Sequence, residues 1–140
     1  VAVWFAEAGV AAPQKFLNGF RCEFGFRIYK NNAASTAEGF AFVMQGDSIG
    51  ARGSSGIHLG YGGTGIANSV AIEFDGSQSS ANNDSPFQHI AIHTRNKDPN
   101  SADQRFAIGV SENIGFNFAN NSTFVLLCEP DSAHSSYSCY

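Results

Sequence analysis

In the segment Phe20-Arg21-Cys22-Glu23-Phe24-Gly25-Phe26-Arg27-Ile28, every second residue is apolar without a break. A repeat of two fits an extended chain, whose successive side chains point to opposite faces, one into a core and the other toward water. Shorter runs of the same kind follow at Gly39 to Met44, Asn68 to Asp75, Gln88 to Thr94, Phe106 to Val110, Ile114 to Phe118, Thr123 to Cys128 and Ser135 to Tyr140, with a further candidate strand at Val1 to Ala6. No window sustains a 3.6-residue period, and Gly, Asn and Ser fill the gaps. Many short strands joined by such turns predict an all-β protein, an antiparallel sandwich or barrel. With no linker, repeat or charge block, residues 1–140 read as a single domain.

Composition narrows the function classes. The chain is 43% hydrophobic and 13% aromatic but only 14% charged, which fits a folded domain rather than a disordered tail. Net charge is −4, and the eight Lys and Arg are scattered singly, so no basic patch exists to hold nucleic-acid phosphates. The apolar runs are far too short for a membrane span. Val1 in place of an initiator methionine reads as a processed chain or a piece of a longer one. Three cysteines, Cys22, Cys128 and Cys139, contain no C-x-x-C pair and match no zinc motif. In a secreted chain Cys128 and Cys139 could close a hairpin, which leaves Cys22 with a partner outside this segment or as a buried free thiol. The sequons beginning at Asn83, Asn120 and Asn121 would carry N-glycans in the same setting.

Residues 45–67 hold eight glycines, too many for a strand or a helix. Such a loop lets backbone approach a partner closely, or makes tight turns around a sheet edge. Within it, Gly60-Tyr61-Gly62-Gly63-Thr64-Gly65 matches G-x-G-x-x-G, but a strand follows where the dinucleotide fingerprint needs a helix.

In Val70-Ala71-Ile72-Glu73-Phe74-Asp75, alternation sends Glu73 and Asp75 to one face and Val70, Ile72 and Phe74 to the other. In His89-Ile90-Ala91-Ile92-His93 the two histidines share a face. If these strands pair antiparallel, Glu73, Asp75 and His89 converge, and Asp84 reaches in from the connecting loop. Three carboxylates and an imidazole suit a divalent cation, with oxygen-rich donors favouring Ca2+ or Mn2+. The alternative is that the carboxylates line a solvated face, that His89 caps a strand, and that His93 packs or faces water.

Together, Ala37-Glu38-Gly39-Phe40-Ala41-Phe42-Val43, the glycine loop ending Leu59-Gly60-Tyr61-Gly62-Gly63, the block Asn68 to Asp75 and His89-Ile90-Ala91-Ile92 resemble the legume-type (L-type) lectin domain. The resemblance runs over roughly residues 37 to 94, in the family's order, with Phe20 to Ile28 fitting the preceding strand. It implies a concanavalin A-like jelly-roll sandwich, longer than this chain, so the chain would be an internal portion lacking a leading strand and much of the C-terminal half, or a shortened variant. It further implies a transition-metal site at Glu73, Asp75, Asp84 and His89. Calcium would share Asp75 and Asp84 and take a backbone carbonyl at Ser77 and the side chain of Ser79. Sugar hydroxyls would meet Glu38, the backbone near Gly56, and Ser79.

Three positions depart from the family pattern. Glu38 stands where the family has an Asp preceded by a cis peptide, Ser77 where it has an aromatic that stacks on the sugar, and Ser79 where it has Asn. The calcium and sugar sites are therefore partly degenerate. The expected function is a non-catalytic, metal-supported carbohydrate-binding domain of a secreted or lumenal glycoprotein, with glycans or glycoproteins as partners and several copies supplying avidity. The alternative is a structural or assembly module, extracellular or homo-oligomeric, that keeps the sandwich without the sugar. Hydrolysis similar to that of the β-glucanase group needs a second glutamate after Glu73-Phe74-Asp75, and Gly76, Ser77 and Gln78 stand there instead.

Overall fold

A computed structural model describes residues 20–28, 38–112, 114, 115, 117, 118, 122–131 and 136–139. The strand expected at Val1 to Ala6 lies outside the described residues. The described residues form seven strands: β1 Phe20–Phe26, β2 Gly39–Gln45, β3 Ser69–Asp75, β4 His89–Thr94, β5 Ala107–Glu112, β6 Ser122–Asp131 and β7 Ser136–Cys139. Short 3₁₀ turns at Gly56–His58, Ser80–Asn82 and Gln104–Phe106 punctuate the loops. Among the described residues no α-helix occurs, and no helix is long and apolar enough to cross a membrane.

The strands form two antiparallel sheets, one ordered β1-β6-β7 and the other β2-β3-β4-β5. Their apolar faces meet, as the alternation demands: Cys22, Phe24 and Phe26 of β1 pack with Phe40 and Phe42 of β2, Ile72 and Phe74 of β3, and Ile90 and Ile92 of β4. Phe74 is fully buried at the centre, stacked on Phe40 at 4.7 Å and edge-on to Phe26 at 5.1 Å and Phe124 at 4.8 Å. Offset and edge-to-face pairs of this kind contribute about 0.5–1.5 kcal/mol each beyond area burial. Cys22 is a free, half-buried thiol at the edge of this aromatic core.

A strand is expected at Ile114 to Phe118, but the described residues of this stretch, Ile114, Gly115, Asn117 and Phe118, do not make one. Gly115 adopts φ +72°, and Phe118 lies in a turn, its ring buried in the core and its carbonyl accepting from the Ile28 N–H at 2.8 Å. The apolar spacing there serves a core-plugging loop rather than a ladder.

The second face of the β2-β3-β4-β5 sheet is covered by the glycine loop. Tyr61, Ile66, Leu59, Ala51 and Ala102 pack against Ala41, Val43 and Ala71. The close approach needs missing side chains: a Cβ on Gly53 would lie 2.4 Å from the Tyr61 backbone. Strand β3 is thus buried on both faces while β5 stays exposed, and the second face of the sheet carries the acidic and imidazole side chains.

Candidate metal centre

The β3–β4 register sets Asp75 opposite His89, Glu73 opposite Ala91 and Ala71 opposite His93. On the other flank Glu73 faces Ala41 of β2. Alanines on both sides leave room over the sheet for the Glu73 carboxylate and the imidazoles. One ligand atom each from Glu73, Asp75 and His89 lies within 4.8 Å of the others, and all three residues are buried. Asp84 stands in the loop at 76–88, close enough for its charge to act on Asp75. Its Oδ2 accepts from the Ser79 N–H at 3.0 Å. Its buried Oδ1 has no partner among the described residues.

Glu73 is the most heavily bonded of these groups. Its Oε2 accepts from the Tyr61 hydroxyl at 2.6 Å, and its Oε1 faces Nε2 of His93 at 3.0 Å and Nε2 of His89 at 3.3 Å. Nδ1 of His89 lies 3.2 Å from the Phe87 carbonyl. Burial alone would raise the Glu73 pKa, but hydrogen bonds from His89, His93 and Tyr61 outweigh it and hold the group at about 2. Burial depresses the His89 pKa, yet the bond to Glu73 and the nearby carboxylates win and push it up. For Asp75, burial dominates; the Ser77 N–H at 2.8 Å favours the charged form, but the neighbouring Asp84 adds to burial and the group rises to about 7. Burial likewise raises Asp84. Two carboxylates held above their ordinary range beside a third that stays ionised form a site short of positive charge.

The other residues expected at the site are arranged around this centre. Gly39, with φ +141° and no space for a Cβ against the Phe74 carbonyl, turns the chain so that the Glu38 carbonyl accepts from the Gly76 N–H at 2.7 Å. The Glu38 carboxylate oxygens lie 3.5 and 3.9 Å from the Cβ position of Gly56, so these two residues are neighbours. The metal loop is tied to the same place: the Asn82 amide donates to the Ile57 carbonyl at 2.5 Å. Ser77 and Ser79 meet Asp75 and Asp84 through their backbone N–H groups. Ala37, and so its peptide bond to Glu38, lies outside the described residues, as do Asn120 and Asn121. Asn83 is exposed at φ +57°, its amide donating to Asp103 at 3.1 Å.

Two residues of the centre are not evident from spacing alone. Tyr61 sits inside the G-x-G-x-x-G run, where the glycines draw the eye; the run makes turns here, with no helix after it, and delivers the tyrosine to Glu73. His93 neither faces water nor merely packs, because the register that brings His89 to Asp75 also carries His93 to Glu73.

The described residues form a two-sheet antiparallel β arrangement with a buried carboxylate–imidazole centre under a glycine loop. A family model for the legume lectin domain matches residues 5–132, and the chain belongs to that family, a non-catalytic family of carbohydrate-binding domains. No curated protein sequence matches the chain.

Proposed function

We propose that the chain is a non-catalytic carbohydrate-binding domain whose binding edge is ordered by divalent cations, in a secreted or lumenal glycoprotein. The observation that supports this best is the buried convergence of Glu73, Asp75 and His89; Asp84, whose charge acts on Asp75 and whose buried Oδ1 has no partner among the described residues, stands in the loop that also carries Ser77 and Ser79. The donor set fits a cation: buried carboxylates in this number are costly without one, and His89, fixed through Nδ1 at Phe87, presents Nε2. Glu73, Asp75, Asp84 and His89 would hold a manganese-like ion, and Asp75, Asp84, Ser77 and Ser79 a calcium ion. The ions supply positive charge that keeps the carboxylates ionised and the loops rigid. Glu38 and the glycine-loop backbone then accept and donate hydrogen bonds to sugar hydroxyls. Because such edges bind single sugars weakly, glycoprotein ligands would be engaged through several copies.

A second reading, a structural or assembly module, draws on Glu38, Ser77 and Ser79, which replace the groups that such domains use for sugar and calcium. Calorimetric titration of manganese and calcium into glycan-trimmed protein, with Asp75→Ala as control, tests the metal centre: heat at micromolar metal is expected, and none in the control. A glycan array with and without chelator, repeated on Glu38→Ala, then separates the readings. Glycan binding lost in the folded variant supports the lectin; absence of binding in the parent protein supports the module.

A further inference from the structure

Tyr61 and His93 carry no role in the reading above, yet both spend their polar atoms on one carboxylate. We propose that His93, together with Tyr61, is a positioning residue that holds Glu73 in the orientation a metal ligand requires; the proposal rests on the metal-supported reading of the site.

The argument is one of lone pairs. A carboxylate offers about four acceptor directions. The Tyr61 hydroxyl takes one on Oε2, at 2.6 Å, and His93 Nε2 takes one on Oε1, at 3.0 Å. What remains on Oε1 faces His89 Nε2 at 3.3 Å, across the group that also contains Asp75. The proton positions follow from the partners. The Phe87 carbonyl can only accept, so it fixes a proton on His89 Nδ1 and leaves Nε2 as that ring's ligand atom. His93 Nδ1 is buried and has no partner among the described residues, so the proton of that ring belongs on Nε2, where Glu73 accepts it. His89 therefore has to give up Glu73 to ligate a cation, while His93 and Tyr61 do not.

The backbone is shaped for this. Both imidazole-bearing positions of β4 oppose β3, but the β4–β5 ladder slips at His93: Ile92 pairs with Gly109 and His93 with Ala107. The extra residue, Ile108, lies in β5 and stands exposed, while β4 keeps an unbroken register with β3 through His93, which sets that ring on the face of Glu73. The His93 ring also lies against Tyr61, with centroids 5.9 Å apart, so the two donors support each other.

Manganese affinity, measured by calorimetry on wild type, Tyr61→Phe, His93→Phe and His93→Gln, tests the proposal, with chelator-treated melting curves reporting the fold. Loss of a partner that orients a ligand typically lowers affinity by about 10–100-fold. That loss is expected in His93→Phe and Tyr61→Phe, with partial recovery in His93→Gln, whose amide can still donate to Glu73. Nitrogen-15 spectra of the metal-free wild type should show His93 protonated on Nε2 and perturbed in Glu73→Gln. Wild-type affinity in folded His93→Phe and Tyr61→Phe, or a proton on His93 Nδ1, overturns the proposal. So does an equal loss of melting temperature and affinity in His93→Phe and His93→Gln, which marks a packing role. If wild type takes up no manganese, the metal reading itself falls and carries this one with it, a result distinct from the others because the parent protein is silent.

Discussion

A carboxylate as deeply buried as Glu73 would ordinarily be driven neutral; three donors keep it charged. Asp75, two residues along the same face, has one backbone N–H and a neighbouring carboxylate, and it is driven up instead. The opposite directions fix the pH response of the chelated protein. Glu73, held at about 2, contributes stability above its unfolded value near 4, lost as pH falls toward 2. Asp75, raised to about 7, acts in the other sense: between about pH 4 and 7 the folded state keeps a proton that the unfolded chain releases, so stability falls. His89, raised, holds its stabilising proton below about 6.5 and loses it at higher pH. Chelated protein should therefore melt highest in mildly acidic buffer and lose on the order of a few kcal/mol toward alkaline pH. Manganese or calcium should restore much of that loss at neutral pH, as melting curves across pH with and without metal would record. At this scale much was legible: alternation alone puts Glu73, Asp75, His89 and His93 on matching faces. What alternation lacks is register, and only the pairing of Ala71 with His93 shows that the second histidine reaches Glu73 rather than water.

Among the elements, the loops owe their order to a few cross-links. The Asn82 amide joins the 76–88 loop to the glycine loop at Ile57, and the Gln104 side chain accepts from the Ser85 N–H at 2.8 Å. Asn82→Ala should cost about 1 kcal/mol in denaturant unfolding and speed proteolytic cutting within residues 45–67, since the loop then has one anchor fewer. The β6–β7 pairing sets Cys128 opposite Cys139, at the backbone separation an antiparallel pair provides and a disulfide accepts. Protein prepared under oxidising conditions is expected to gain two mass units on reduction, while Cys22 reacts with thiol reagents only as the core loosens. The strands themselves were largely readable, with ends displaced by one to three residues. Ile114 to Phe118 was not, because a glycine at positive φ interrupts a pattern that hydrophobicity alone would continue. The 3₁₀ turns left no periodic signal, being single turns set by caps and loop closure.

For the molecule as a whole, stability is concentrated where the two sheets share Phe74. Truncation to alanine removes a ring touched by five others and should cost about 3–5 kcal/mol in equilibrium unfolding, a large part of what a domain this size possesses. The class of fold was visible in the period of two, since short alternating strands have few ways to bury a face. The division into sheets was not, because nothing local says that β1 leaves β2 and joins β6. That choice of neighbour has a consequence in time. As the chain is synthesised, β1 emerges with its row of phenylalanines before β2 to β5, and the strand it pairs with, β6, emerges only after them. Contacts so distant in sequence close slowly, and until they do, an apolar strand with an open edge is available to the wrong partner. For as long as β1 waits for β6, that exposed apolar edge is the nascent chain's point of risk.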